Sequence, residues 1–114
     1  MKELYHDFRY EIDEYMYPLM EKWARPIWYE GDIVGFLMVI DGYIEGLYVR
    51  KDLRRKGLGR QAVEDYIRDN GLPWRLHIIN TNKIAKRFWN SLFVLKKIET
   101  NDIDTLYEVM RVRE

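Results

Sequence analysis

The segment 42–70 constrains the fold more than any other part of the chain. It opens with Tyr43–Val49, a run rich in β-branched and aromatic residues that suits a largely buried strand. A basic loop with two glycines follows, and then an amphipathic stretch that ends at the helix stop Asn70-Gly71. The apolar residues of that stretch recur at helical spacing: Leu58, Ala62, Val63, Tyr66 and Ile67. The segment therefore predicts a strand, a loop and a helix in immediate succession.

The loop between this strand and this helix has the composition of an anion site. It reads Arg-Arg-Lys-Gly-Leu-Gly-Arg from Arg54 to Arg60. Glycines let a backbone approach a bulky ligand, and the N–H groups of the first helical turn point outward at the positive end of the helix dipole. These features favour a phosphate or pyrophosphate ligand. A basic, solvated turn without a ligand is the alternative interpretation. The P-loop pattern is missing, as is the third glycine of the dinucleotide fingerprint.

Composition excludes several classes of function. With 114 residues the chain is expected to form one domain. Lys+Arg and Asp+Glu balance at 19 each, which argues against a nucleic-acid partner. There is no cysteine, so disulfides, thiolate metal sites and a cysteine nucleophile are excluded. No apolar run approaches the roughly 20 residues of a membrane span, and we expect a cytoplasmic protein with neither a membrane partner nor a metal.

The other elements follow from periodicity and turn signals. Residues 2–23 carry a helical apolar stripe, which Pro18 should kink. A break is predicted at Ala24-Arg25-Pro26, a strand at 27–30, a turn at Gly31-Asp32 and a hairpin turn at Asp41-Gly42. Further strands are predicted at 33–40, 75–79, 93–98 and 105–112, and a second helix at 83–91. The stripe consists of Leu4, Phe8, Ile12, Tyr15, Met16, Leu19 and Trp23.

Three blocks of this chain resemble the GNAT superfamily of N-acetyltransferases. Arg54-x-x-Gly57-x-Gly59, after a strand ending in Leu-Tyr-Val, is similar to the family's acyl-CoA-binding signature. Asn82-x-x-Ala85-x-x-Phe88-Trp89 is similar to the family's Asn-x-x-Ala-x-x-Phe-Tyr, and the terminal strand pair is the third block. The resemblance implies an α/β (α+β) GNAT fold, a mixed but mostly antiparallel sheet flanked by helices. It also implies a single domain over 1–114, with an N-terminal helical segment at 1–24 and a CoA-binding core at 31–114.

The resemblance also assigns residues to acetyl-CoA, the implied cosubstrate. The backbone of Leu47, Tyr48 and Val49 would bind the pantetheine arm in a slot between two splayed strands. Asn82 would also bind the arm, while Phe88 and Trp89 would flank the thioester. Backbone amides of the loop would hold the pyrophosphate, with Arg54 where the family places Gln or Arg. The residues that supply those amides are Arg55, Lys56, Gly57, Leu58, Gly59 and Arg60.

The chain departs from the family pattern in places that bear on catalysis. Trp89 stands where the family has a tyrosine proposed as general acid, and an indole N–H is a hydrogen-bond donor only. Two interpretations stay open: Trp89 stabilises the developing charge, or the thiolate leaves unassisted. Leu92 replaces the usual glycine before the final strands, and the N-terminal part has no recognisable first strand.

Glu45 is the acid that we predict to act as general base or as a contact for the acceptor amine. It interrupts an otherwise apolar strand, and in a regular strand it would share a face with Tyr43, Leu47 and Val49. The segment around it resembles that of some aminoglycoside 6'-N-acetyltransferases, in which an acidic residue lies near the acceptor amine. In the alternative, Glu45 reaches solvent or pairs with a lysine. His77, in the next strand, is either structural or catalytic.

The function expected from the sequence is N-acetyl transfer from acetyl-CoA to a primary amine of a small molecule or peptide. The alternative is a catalytically silent acyl-CoA-binding sensor or regulatory module. A third hypothesis, nucleic-acid binding through the basic patch at 50–60, conflicts with the zero net charge. A homodimer would let a second subunit supply what the short N-terminal part lacks.

Overall fold

The computed structural model describes residues 17–113 of the chain. The helical stripe predicted for residues 4–16 lies outside this range, as does His6. Helix α1 is Tyr17–Trp23, and the chain enters its first strand directly afterwards. The elements in order are β1 Ala24–Tyr29, β2 Asp32–Ile40, β3 Tyr43–Val49, a 3₁₀ turn Lys51–Leu53, α2 Leu58–Asn70, β4 Arg75–Ile79, α3 Lys83–Leu92, β5 Phe93–Thr100 and β6 Asp104–Val112.

The six strands form one mixed sheet in the order β1-β2-β3-β4-β6-β5. Neighbouring strands are antiparallel except β3 and β4, which are parallel because α2 carries the chain back across the sheet between them. The predicted hairpin between β2 and β3 turns at Asp41 and Gly42, whose φ values are 51° and 81°. Two consecutive positive φ angles are the geometry that a two-residue hairpin of this type requires.

Strand β1 corrects two predictions. Pro26 does not break the chain; it lies inside β1, opposite Phe36 of β2. Because β1 is an edge strand, the missing N–H of a proline can face outward without loss of a ladder hydrogen bond. The following turn is formed by Glu30 and Gly31, both at positive φ, and Asp32 already belongs to β2. Since β1 pairs along β2, the described part of the sheet begins at Ala24.

Apolar side chains fill both faces of the sheet. On one face, Leu37, Val39, Ile44 and Leu76 belong to a buried cluster that also includes Val63 of α2. The rest of this cluster comes from β4, α3 and the terminal strands: Ile78, Trp89, Leu92, Phe93, Tyr107 and Val109. We call this the helix-covered face. The other face carries a smaller cluster in which Met20 of α1 packs on two β2 residues, Phe36 and Met38.

Candidate functional site

Strands β3 and β4 separate soon after they meet. Only two pairs join them, Tyr43 with Arg75 and Ile44 with Leu76. Beyond Ile44, β3 continues for five more residues, and β4 continues to Ile79 without pairing to β3. A gap therefore opens between the strands towards their C-terminal ends, with backbone groups along its edge. This is the slot that the resemblance implied.

A β-bulge in β3 lies at the start of the gap. Met38 of β2 pairs with Gly46, but Val39 pairs with Ile44, so Glu45 is the extra residue. As a result Ile44 and Leu47, three positions apart, both pack on the helix-covered face. The prediction that Glu45 shares a face with Leu47 is wrong, because it assumed regular alternation. Glu45 follows buried Ile44 and is exposed, so its side chain projects from the opposite face.

The backbone of β3 presents only some of its groups to the gap. The N–H of Arg50 donates to the carbonyl of Val34 on β2 at 2.8 Å, so by strand alternation Tyr48 also pairs towards β2. The Tyr48 carbonyl oxygen accordingly lies against Gly35 of β2. The groups of Leu47 and Val49 face the gap instead. The backbone groups of Leu47 and Val49 are therefore better placed than that of Tyr48 to meet a ligand in the gap, and the assignment of the three residues to the pantetheine arm stays a prediction.

The side chain of Arg54 is hydrogen-bonded to one of these backbone groups. Its Nε donates to the carbonyl oxygen of Val49 at 2.8 Å, which fixes the start of the basic loop to the end of β3. The Val49 carbonyl is therefore engaged by the protein itself. What remains for a ligand is the N–H of Val49 and both backbone groups of Leu47.

The beginning of α2 lies at the mouth of the gap. Gly57 precedes the helix at φ 77°, and the N–H of Gln61 donates to its carbonyl at 3.0 Å, the first helical hydrogen bond. The amides of the three residues in between precede that bond and point out of the helix end. A Cβ placed on Gly59 would lie 3.2 Å from Leu47 Cδ2 and 3.5 Å from Phe88 Cζ. Glycine at this position thus allows the helix end to approach β3 and α3.

The basic side chains of the loop have different surroundings. Arg60 Nη2 donates to Ser91 Oγ at 3.1 Å and joins α2 to α3, so its side chain has a structural role. Lys56 lies with its Nζ 6.0 Å from the ring centroid of Tyr29. Arg55 is exposed and has φ 70°, which turns the chain before the helix. The loop is solvent-facing and basic, as predicted.

Asn82 caps α3. Its Oδ1 accepts a hydrogen bond from the N–H of Ala85 at 2.9 Å, the geometry of an N-cap residue. The capping interaction uses the oxygen of the carboxamide. The Nδ2 group is therefore the part of this side chain that is left to donate to a ligand.

Phe88 and Trp89 differ in exposure. Phe88 is half-buried beside Gly59, with its ring edge-on to Trp89 at a centroid distance of 4.9 Å. Trp89 is only 7% exposed, and its ring stacks on Phe93 at 6.1 Å within the core. These are packing contacts, and the role of Trp89 at the thioester stays a prediction. Trp89 packs within the core.

Three side chains lie together on the face opposite α2 and α3, where the gap begins. Glu45 is exposed, but partial burial raises the pKa of its carboxyl above the ordinary value of 4.5. On the same face, the hydroxyl of Tyr43 is hydrogen-bonded to Nδ1 of His77. Sequence reasoning noted His77 but not its partner. Because the two residues are 34 positions apart, only the parallel register of β3 and β4 brings them together.

No metal site is defined by the part of the chain that the structure describes. Within residues 17–113, no group of three or more His, Asp or Glu side chains is placed to hold a metal ion. In the same range, no helix is long and apolar enough to cross a membrane.

Comparison with known proteins identifies the family. A model of the acetyltransferase (GNAT) family matches residues 1–93. The chain therefore belongs to the GNAT family of acetyltransferases, as its motifs predicted, and its six-stranded mixed sheet with flanking helices has the fold of that family. No curated protein sequence matches the chain.

Solved structures agree on the fold. An acetyltransferase from Thermus thermophilus is 26% identical with a TM-score of 0.64, over 79% of this chain and 63% of that one. YjaB from Escherichia coli, in its apo form, is 20% identical with a TM-score of 0.57, over 73% of this chain and 60% of YjaB. A Bacillus anthracis str. Ames protein with a proposed streptothricin acetyltransferase activity is 17% identical with a TM-score of 0.59, over 85% of this chain and 70% of that protein. The chain thus spans less than two thirds of the length of the first two.

Proposed function

We propose that this protein is an N-acetyltransferase that moves the acetyl group of acetyl-CoA to a primary amine of a small molecule or peptide. The observation that carries the proposal is the gap between β3 and β4, with the basic end of α2 at its mouth. The gap offers unpaired backbone to an extended amide-bearing ligand, and the helix end offers N–H groups to an anion. The proposal takes residues 1–114 as one domain.

The cosubstrate is assigned by the chemistry of these two features. Acetyl-CoA supplies a thioester carbonyl that an amine can attack. Its pantetheine arm carries amides, which suit the backbone groups of Leu47 and Val49 that face the gap. Its pyrophosphate suits the amides at the start of α2, where the helix dipole and the Arg and Lys side chains favour an anion. The Bacillus anthracis protein that shares this fold was solved in complex with acetyl coenzyme A.

The acceptor must lose a proton before it can attack. For a lysine-like amine with a pKa of about 10.4, reaching the neutral form at pH 7 costs roughly 4.6 kcal/mol. A carboxylate near the reacting amine can accept this proton, and it can hold the ammonium group in place before the proton leaves. Glu45 is the acid at the start of the gap, and it projects from the face that α2 and α3 leave open.

The substitution Glu45→Gln tests this assignment. Glutamine keeps the size of the side chain but can neither carry the charge nor accept a proton. We expect turnover to fall much more than the affinity for acetyl-CoA, because the Leu47 and Val49 backbone groups and the loop are left intact. Turnover equal to that of the wild type would contradict a role for Glu45.

A catalytically silent acyl-CoA-binding module is the second candidate function. The observation that favours it is the burial of Trp89 in the core, at the position where the family has a tyrosine proposed as general acid. Both functions predict binding of acetyl-CoA, so binding alone does not separate them.

Calorimetric titration with acetyl-CoA, followed by thiol release on the same sample with a panel of amines, distinguishes the two. The panel should include an aminoglycoside, a polyamine, free lysine and a peptide with a free N-terminus. Amine-dependent thiol release would support the enzyme and begin to identify its acceptor. Binding without release for every amine would favour the silent module, and absence of binding would contradict both.

A further inference from the structure

The first unpaired residues of β3 and β4 face each other across the start of the gap. Ile44 and Leu76 are the last pair, so Glu45 and His77 are the residues that follow it on the two strands. Ile44 and Leu76 are both buried on the helix-covered face. Their neighbours Glu45 and His77 are both exposed, so both side chains project from the opposite face. The parallel register thus puts a carboxylate and an imidazole on the same side of the point where the strands part.

Tyr43 fixes the orientation of this imidazole. Its hydroxyl is hydrogen-bonded to Nδ1 of His77 and lies 3.3 Å from Nε2, and the two rings lie 5.4 Å apart between centroids at an angle of 44°. Tyr43 itself pairs with Arg75, so its side chain reaches diagonally across the strands to the residue two positions further along β4. The contact spans the strands just where the gap begins. A hydrogen bond at one ring nitrogen of a histidine determines what the other nitrogen can do.

The groups around His77 favour a cation on this face. Leu106 of β6 lies directly opposite His77, and the neighbouring pair on these strands is Arg75 with Glu108. Among the residues that the structure describes, the titratable or charged groups of β3, β4 and β6 on this side are Tyr43, Glu45, Arg75 and Glu108. Strand β5 adds Lys96 opposite Glu108 and Glu99 opposite Leu106, so the carboxylates outnumber the cationic groups. The guanidinium of Arg75 stacks on Trp74 at 4.2 Å. An ammonium group at the start of the gap would therefore meet the carboxylate of Glu45 and the imidazole of His77.

We infer that His77 is a catalytic residue that takes the proton from the acceptor ammonium group, and that Tyr43 is its positioning residue. This inference rests on the proposed function. With Nδ1–H donating to the Tyr43 oxygen, Nε2 carries the lone pair that accepts the proton. Glu45 then holds the ammonium group by charge. An imidazole is the side chain that ordinarily changes charge between pH 5 and 8, which suits a proton acceptor at neutral pH.

The step balances without a further reactant. Nε2 of His77 accepts one proton from the ammonium group, and the freed nitrogen lone pair forms a bond to the thioester carbonyl carbon. The C–S bond then breaks, and its electron pair leaves with the CoA sulfur. The second proton lost by the nitrogen goes to that thiolate, which gives the amide and free CoA. Because His77 is exposed, its imidazolium returns the first proton to water.

The test is the pH profile of kcat/KM for acetyl-CoA with the amine that serves best in the thiol-release assay. His77→Asn is the main variant, since its amide can still bond to Tyr43 but cannot take a proton. We expect a 10²- to 10⁴-fold loss of kcat/KM, the usual contribution of a general base, and loss of the rising limb of the pH profile. Tyr43→Phe should keep the limb but lower kcat about tenfold, since the imidazole is present but not held. Acetyl-CoA affinity should stay within twofold in both.

Added imidazole provides a second readout that a structural role would not produce. Imidazole should restore part of the activity of His77→Ala. It should not raise the activity of Glu45→Gln. A His77→Asn variant within threefold of the wild type, with the same pH limb, would overturn the inference while the proposed function stands. Acetyl-CoA binding without thiol release in the wild type would instead overturn the proposed function, and this inference with it.

Discussion

Gly35 of β2 should be intolerant of any side chain, including the methyl group of alanine. A Cβ built on Gly35 would lie 2.1 Å from the carbonyl oxygen of Tyr48, 3.0 Å from Val49 Cα and 3.1 Å from the Tyr48 carbonyl carbon. All three atoms belong to the backbone of β3, so no side-chain rotation can remove the clash. Gly35→Ala therefore requires the two strands to move apart next to the gap.

The size of the effect follows from this distance. The oxygen would have to move by roughly 1 Å to reach ordinary van der Waals contact, in a buried part of the sheet. Overpacking of this kind costs about 1–3 kcal/mol, and a backbone obstacle belongs at the upper end of that range. At roughly 4 °C per kcal/mol for a domain of this size, the unfolding midpoint should fall by about 8–12 °C. Because β3 moves, acetyl-CoA affinity should fall as well.

Thermal unfolding followed by circular dichroism measures this change, and Gly59→Ala is the matched control. The Cβ of that variant would meet the side-chain atoms Leu47 Cδ2 and Phe88 Cζ at 3.2 and 3.5 Å, and these can shift slightly. Alanine is also favoured over glycine within a helix by about 1 kcal/mol. The Gly59→Ala midpoint should be unchanged or higher. A Gly35→Ala midpoint within about 2 °C of the wild type would refute the reasoning.

Three further substitutions, at Asn82 and Trp89, separate packing from ligand binding on α3. Asn82→Ala removes the N-cap bond to Ala85 and should lower stability by about 1 kcal/mol in thermal unfolding. Asn82→Asp should keep that stability while losing the Nδ2 donor, so an equal loss of acetyl-CoA affinity in both variants would place the ligand contact on Nδ2. Trp89→Phe should leave turnover within about threefold of the wild type if Trp89 acts only by packing. A loss of a hundredfold with unchanged stability would show that its indole N–H takes part in the reaction.

Local signals were enough to predict most of the elements. The hairpin at Asp41 and Gly42, the start of α2 after Gly57 and the start of α3 after Asn82 each depend on neighbours within a few residues. These signals act through φ preferences and short side-chain bonds, which are fixed by the residue types themselves. The mixed sheet and the gap were predicted from the family resemblance, because neither is specified by residues that are close together in the sequence.

The errors came from features that depend on distant parts of the chain. Pro26 is compatible with a strand only because β1 is at the edge of the sheet. The bulge at Glu45 depends on how β3 fits β2, so the side on which Leu47 lies could not be read from alternation. The residue type at position 35 is the local signal in β2 that indicates the close approach of β3, since a glycine in a strand interior often marks a close backbone approach.

The two halves of the proposed reaction lie on opposite sides of the sheet. Helices α2 and α3 pack on one face and bring the loop amides and Phe88 to the gap. Tyr43, Glu45 and His77 occupy the other face at the point where the gap begins. A cosubstrate that enters beside α2 would thus expose its thioester to an amine arriving from the opposite side. Changes in the loop should therefore alter acetyl-CoA affinity without changing acceptor preference, because the two ligands share only the gap itself.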